Sequence, residues 1–159
     1  MEPGKNELLY RKMRMDDVAA VHALVQGTIT TSYKDAYSAN AMEFFKRYHD
    51  VDNIVKEVHE GHCILAIYDG VTAGVGELLG NKIRMVFVEP SLQGLGIGRG
   101  LMMRLQDRAR ENGLDELHLE SSVVAVGFYK HMGYEVVQKT YLDLEGGGTL
   151  PYFIMKHRL

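Results

Sequence analysis

The segment VFVEPSLQGLGIGRGLMMRL, residues 86–105, constrains the chain more than any other stretch. A run of β-branched and aromatic residues stops at Glu89-Pro90, a short loop carries Gly94, Gly96 and Gly98, and an amphipathic helix pattern begins at once. Glycine at alternate positions lets successive backbone N–H groups converge on one point with no side chain in the way. The start of the following helix adds partial positive charge at the same place. Together these make an anion site suited to a phosphate or pyrophosphate. The loop contains no lysine, so it is not the GxxxxGK[ST] loop of nucleoside triphosphatases. Nor is it a GxGxxG dinucleotide fingerprint, because the last position falls on Arg99 counted from Gly94 and on Leu101 counted from Gly96.

The rest of the chain fits around this unit. Leu8 to Met13 reads as a strand. A helix capped by Asp16 or Asp17 follows through about Gln26, with Val18, Val21, His22 and Val25 on one face. The polar and aromatic stretch TITTSYKDAYSA reads as a loop or short helix over a groove, and Ala39 to Glu60 as a second helical region. Three strands, His62–Tyr68, Val71–Leu79 and Ile83–Val88, are separated by the turn signals Asp69-Gly70 and Gly80-Asn81 and form an antiparallel meander. After the glycine loop, Leu101, Met102, Leu105 and Ala109 share a helix face, and Asn112-Gly113 ends that helix. Glu116–Glu120 is a strand and Val124–His131 a short helix. Tyr134–Leu144 and Tyr152–Lys156 are strands joined through Gly146-Gly147-Gly148. The order βααβββαβαββ makes an α/β sheet with one parallel crossover, in a single domain over residues 1–159.

Composition removes several function classes. The net charge is −3 with no long run of one sign, which argues against a nucleic-acid-binding face. No stretch approaches the ~18 apolar residues of a membrane helix. The N-terminus MEPGKNE is polar and lacks the apolar segment of a signal peptide, so the expected location is cytoplasmic. The single cysteine, Cys63, reads as a small core residue in a strand. The histidines show no metal-ligand spacing, and no metal is expected.

Gln93, Gly96 and Gly98 also spell QxxGxG, and this loop resembles the acyl-CoA-binding loop of the GNAT superfamily of N-acetyltransferases. About 25 residues on, SSVVAVGFYKHMGYE is similar to that family's NxxAxxFYxxxGF signature: Ala125, Phe128, Tyr129, Gly133 and Tyr134 match, and Ser122 replaces the asparagine. The resemblance implies a mixed, mostly antiparallel central sheet flanked by helices and splayed between strand four (Ile83–Val88) and strand five (Glu116–Glu120). Acetyl-CoA, the implied co-substrate, would lie in the gap. Backbone groups of Phe87 and Val88 would bond its pantetheine arm and thioester. The loop Gln93, Gly94, Leu95, Gly96, Ile97, Gly98 and Arg99 would bind the pyrophosphate, and Ser122 would contact coenzyme or backbone. An open strand edge suits this role, since its unpaired N–H and C=O groups accept an amide-bearing ligand as they would another strand.

Transfer to an amine needs a proton removed from nitrogen, an oxyanion stabilised and a thiolate protonated. The resemblance puts Tyr129 beside the sulfur as acid, though an aromatic there also packs a core, and the Val88 N–H is expected at the oxyanion. Strand four, KIRMVFV, offers no carboxylate base. Glu77 and Glu120 are the alternatives, either as base, through water, or as solvated strand residues, and strand alternation puts His118 on the face of Glu120, where the two could relay a proton. Tyr33, Tyr37, Phe44 and Tyr152 are candidates for the acceptor pocket or the core. Lys82 and Arg84 are either surface charges or partners for an acceptor carboxylate or phosphate. The acceptor stays open between a small-molecule amine and a protein or peptide amine. A non-catalytic acyl-CoA sensor on the same fold is the competing reading. Many such folds pair as homodimers, but no decisive interface shows in the sequence.

Overall fold

The computed structural model describes residues 7–159. Its elements are β1 (Leu8–Lys12), α1 (Val18–Ser32), α2 (Ala39–Tyr48), α3 (Val51–Glu60), β2 (His62–Tyr68), β3 (Val71–Leu79), β4 (Lys82–Val88), α4 (Ile97–Glu111), β5 (Glu116–Ser122), α5 (Val126–His131), β6 (Glu135–Asp143) and β7 (Thr149–Arg158). Among the described residues these strands form one sheet in the order β1-β2-β3-β4-β5-β7-β6, antiparallel throughout except for the β4–β5 pair. One core lies between the sheet and α1–α3, built on Val21, Val25, Ile29, Ile54, Leu65 and Phe87. The other lies under α4 and α5, built on Leu101, Met102, Leu105, Leu117, Leu119 and Met155.

The expected splay between strands four and five is present. β4 and β5 are in register only at Lys82↔His118 and Ile83↔Leu119, and beyond these the strands part. The cause is a bulge. Between the pairs Glu77↔Arg84 and Val75↔Phe87, one residue of β3 stands against two of β4, and Met85 takes a positive φ of 50°. The extra residue breaks the alternation of faces. Ile83 belongs to the α4 core, whereas the consecutive residues Arg84 and Met85 both turn toward α1–α3, Arg84 reaching Glu57 of α3 and Met85 entering the core there. A bulge bends its strand and increases its twist, which carries the end of β4 away from β5.

Several boundaries differ from those expected. Asp17 does not cap α1. It accepts both arms of the Arg11 guanidinium, each at 2.8 Å, and the Arg14 N–H at 2.8 Å, which fixes the turn leading into α1. α1 runs on to Ser32, because its buried stripe continues through Thr28 and Ile29 and the Thr28 hydroxyl bonds back to the Leu24 carbonyl at 2.7 Å. The 39–60 stretch is two helices, since Asp50 caps α3 by accepting the Asn53 N–H at 2.8 Å and the chain breaks at His49. α4 begins inside the glycine loop, at Ile97. Gly96 takes φ +82°, which a side chain would strain, and Gly100 packs so closely on β1 that a Cβ there would collide with the Tyr10 hydroxyl.

Leu105 lies fully buried in the α4 core and marks how strongly this layer is held. Leu105→Ala is expected to lower stability by about 2–5 kcal/mol. Urea unfolding should show this as a lower midpoint with an unchanged slope.

Candidate functional site

The parting of β4 from β5 opens a cavity of about 450 Å³ on the α4 side of the sheet. The end of β4 (Val86, Phe87, Val88), the loop and first turn of α4 (Gln93, Gly94, Gly96, Ile97, Gly98, Arg99), the end of α1 with Tyr33, and α5 with Phe128 and Tyr129 all line it. Most of the residues expected to hold the coenzyme thus converge on one space. Leu95 is the exposed tip of the same loop, and Ser122 lies on the other side of the opening. The first helical bond of α4 runs from the Gly100 N–H to the Gly96 carbonyl, and no side chain caps the helix. The N–H groups of Ile97, Gly98 and Arg99 therefore point out of the helix start without intrahelical partners, as an anion site requires. Gln93 ties the loop to the strand end by donating to the Val88 carbonyl at 3.1 Å.

Tyr129 is 7% exposed, and its ring packs against Phe128 and Tyr134 with centroids 5.1 and 5.9 Å away. Burial above all, with the neighbouring Tyr33 and Tyr134 phenols, holds its own phenol well above the ordinary tyrosine range. It stays protonated at neutral and mildly alkaline pH and is available as a donor. Ser122, standing where an asparagine was expected, caps the turn before α5: its hydroxyl accepts the Ala125 N–H at 3.1 Å and interacts with the Tyr33 phenol. Tyr37 braces the same turn, accepting the Val123 N–H at 2.8 Å and donating to the Pro151 carbonyl at 2.9 Å. It is a strut and not an acceptor contact.

On the α2 side of the opening lies a second cavity of about 290 Å³, walled by α2, the start of β4, the end of β5 and β7. A third, of about 90 Å³, lies between the two and shares Phe87 and Tyr129 with one and His49 and Ser122 with the other. The candidate bases fall unequally around this space. Glu120 stands half-exposed on the rim of the second cavity and pairs with Lys82 at 3.0 Å. His118 contacts Glu116 at 3.0 Å while Glu120 is engaged by Lys82, so the two residues suggested as a relay face different partners.

Glu77 lies elsewhere. It is fully buried against β2 and β4, accepting from the Cys63 thiol at 3.4 Å and facing the Arg84 guanidinium at 3.6 Å, and it lines none of the three cavities. It is therefore not the solvated strand residue of the alternative reading, and it stands apart from the space that the other candidates share. Arg84 is not a free surface charge either. Its guanidinium also donates to Glu57 at 3.1 Å and to the Tyr48 hydroxyl at 3.2 Å. Burial raises both carboxylates, and Glu57, facing Glu77, is pushed up to about 7.

His49 carried no sequence signal, lying inside a stretch read as one helical region. It is buried at the end of α2 between both α2-side spaces, its ring edge-on to Phe87 at 5.1 Å. Burial, with the Arg84 charge adding to it, lowers its pKa to about 4 and keeps the imidazole neutral. Among the described residues no group of three or more His, Cys, Asp or Glu side chains is arranged to hold a metal ion. No helix there is long and apolar enough to cross a membrane.

Comparison with known proteins places this geometry. A model of the acetyltransferase (GNAT) domain matches residues 33–145. The chain is 45% identical over 49 residues to a chloroplastic serotonin N-acetyltransferase 2 of Oryza sativa subsp. japonica, covering 31% of this chain and 24% of that protein. It is 33% identical over 79 residues to a glucosamine 6-phosphate N-acetyltransferase of Trypanosoma brucei brucei, covering 50% of this chain and 52% of that one. The matches thus span only about a quarter and about half of these relatives. Among solved structures, a GCN5-related N-acetyltransferase from Rhodopseudomonas palustris superposes with a TM-score of 0.87 at 24% identity, over 100% of this chain and 99% of that one. The PaiA N-acetyltransferase of Thermoplasma acidophilum, solved with coenzyme A, superposes with a TM-score of 0.74 at 18% identity, over 96% and 99%. At these identities the likeness is one of fold.

The buried carboxylate pair gives the protein a pH signature. Glu57 holds its proton more tightly folded than unfolded, so its contribution to stability is full below the ordinary carboxylate pKa and is lost as pH rises through about 7. Neutral His49 acts the other way at lower pH, between about 4 and its unfolded value. Melting temperatures taken from pH 5 to pH 8 should therefore fall more for the wild type than for Glu57→Gln; parallel curves would show that Glu57 is ionised throughout.

Proposed function

The chain belongs to the GNAT acetyltransferase family, and we propose that it moves an acetyl group from acetyl-CoA to a primary amine by direct attack through a tetrahedral intermediate. The observation that carries this reading is the parted β4–β5 edge, with an uncapped helix start at one end and a buried, protonated tyrosine at the other. The N–H groups of the loop from Gln93 to Arg99, through Gly94, Leu95 and Gly96, would hold the pyrophosphate. Backbone groups of Phe87 and Val88 would bond the pantetheine arm, with Ser122 fixing the turn opposite.

The acceptor would arrive from the α2 side. Its nitrogen lone pair forms the new bond to the thioester carbon, the carbonyl becomes an oxyanion facing the Val88 N–H, and the carbon–sulfur bond breaks as the intermediate collapses. Tyr129 would give its proton to the leaving thiolate. The nitrogen's surplus proton would leave through water to Glu120 on the rim, and an amine that arrives neutral needs less help.

Two substitutions test the assignment. Tyr129→Phe removes one oxygen and keeps the ring, and turnover followed by free-thiol release should fall by ~10²–10⁴ with little change in coenzyme affinity. A fall of twofold or less would reduce Tyr129 to packing. Gly96→Asp sets a negative charge and a strained left-handed backbone at the anion site, and should abolish acetyl-CoA binding in a protein whose circular dichroism shows it folded. Wild-type binding of acetyl-CoA without turnover of any amine would favour an acyl-CoA-sensing module.

A further inference from the structure

We propose that the cavity on the α2 side of the opening is the acceptor subsite, and that it takes a primary amine carried on an uncharged aromatic body in preference to an acceptor bearing a phosphate or carboxylate. This rests on the acetyl-transfer reading. The cavity meets the coenzyme-side space through the small void between them, which both His49 and Tyr129 line. An amine seated in the cavity therefore lies next to the opening where the thioester is expected.

Its walls decide the body of the acceptor. Phe44 and Tyr48 stand one turn apart on α2 with stacked rings, 6.0 Å between centroids and 21° between planes. Tyr152 of β7 forms part of the same lining. A volume of about 290 Å³ falls at the lower end of the ~300–1,000 Å³ usual for small-molecule sites, which suits a small amine better than a protein segment. Aromatic faces attract both a flat ring and an ammonium group.

The charges decide against an anion. A site built for phosphate or carboxylate presents a guanidinium or ammonium free to bond it. Here each cation in the wall is already engaged by a partner. Lys82 is paired with Glu120, and Arg84 is held by Glu57, Glu77 and the Tyr48 hydroxyl. An anionic acceptor would have to pull the guanidinium off two buried carboxylates, whose exposure as an unpaired pair is costly. His49 is neutral and adds no positive charge.

The test uses the whole protein with saturating acetyl-CoA and free-thiol detection, comparing 2-phenylethylamine with glucosamine 6-phosphate and glutamate. The expected result is a kcat/KM at least roughly 10-fold higher for 2-phenylethylamine, the scale of one or two aromatic contacts. Phe44→Ala should raise the KM for 2-phenylethylamine several-fold and leave acetyl-CoA affinity by calorimetry unchanged. The wild-type comparison decides on its own if that variant fails to fold. Equal or better use of either anionic acceptor overturns the proposal, as does tight acetyl-CoA binding with no transfer to 2-phenylethylamine; in both cases the coenzyme site stands. Failure of the wild type to bind acetyl-CoA overturns the acceptor proposal and the acetyl-transfer reading together.

Discussion

One extra residue in β4 opens the space on which the proposed function rests. Because Met85 and Val86 stand against a single residue of β3, the strand turns after its second pairing with β5 and carries its last residues out of register with β5. Met85 would not hold a positive φ on its own. What holds it is the packing of its side chain in the α1–α3 core and the anchoring of its neighbour. Arg84 is drawn toward α3 by Glu57 and Glu77, and that pull fixes the point at which the alternation of faces breaks. The two buried glutamates and their arginine thus serve the site from a distance, by shaping the strand that the coenzyme would lie along.

The second half of the site is made by what α4 lacks. A helix start normally finds a side chain to satisfy its first N–H groups. Here the residue at that position is Gly96, in a left-handed conformation and without a side chain, so the helix start faces the cavity bare. The same first turn can sit close to β1 only because Gly100 leaves room for Tyr10. Glycine therefore serves two separate needs within five residues, a bare helix start and a close helix–strand contact.

These two features differ in how far they could be read from the sequence. The glycine loop and the FYxxxGY segment are local, and local patterns carry their own geometry, so the loop residues and Tyr129 were found where they converge. The bulge is not local. KIRMVFV reads as an ordinary strand, and nothing in it marks Met85, because the register shift depends on what β3 and α3 present opposite it. The same holds for Glu77, whose position on the preceding strand suggested a base but whose side chain is enclosed by Cys63 and Arg84. It holds also for Arg84, which read as a surface charge or an anion ligand and is instead an internal counter-ion. His49 was missed because its importance comes from burial, and a histidine inside a stretch that reads as continuous helix gives no sign of that. The extra turns of α1 lay within reach, since Thr28 and Ile29 continue its apolar stripe, but three threonines in four residues there suggested a loop.

The most direct test of this account is to follow backbone amide chemical shifts while acetyl-CoA is titrated into the isotopically labelled protein. The largest changes should fall on Gly94 through Arg99 and on Phe87 and Val88, with smaller ones at Tyr129 and its neighbours on α5. Saturable binding whose shifts centre elsewhere, or no shifts at all at millimolar coenzyme, would contradict the claim that the parted strands and the bare start of α4 form a coenzyme site.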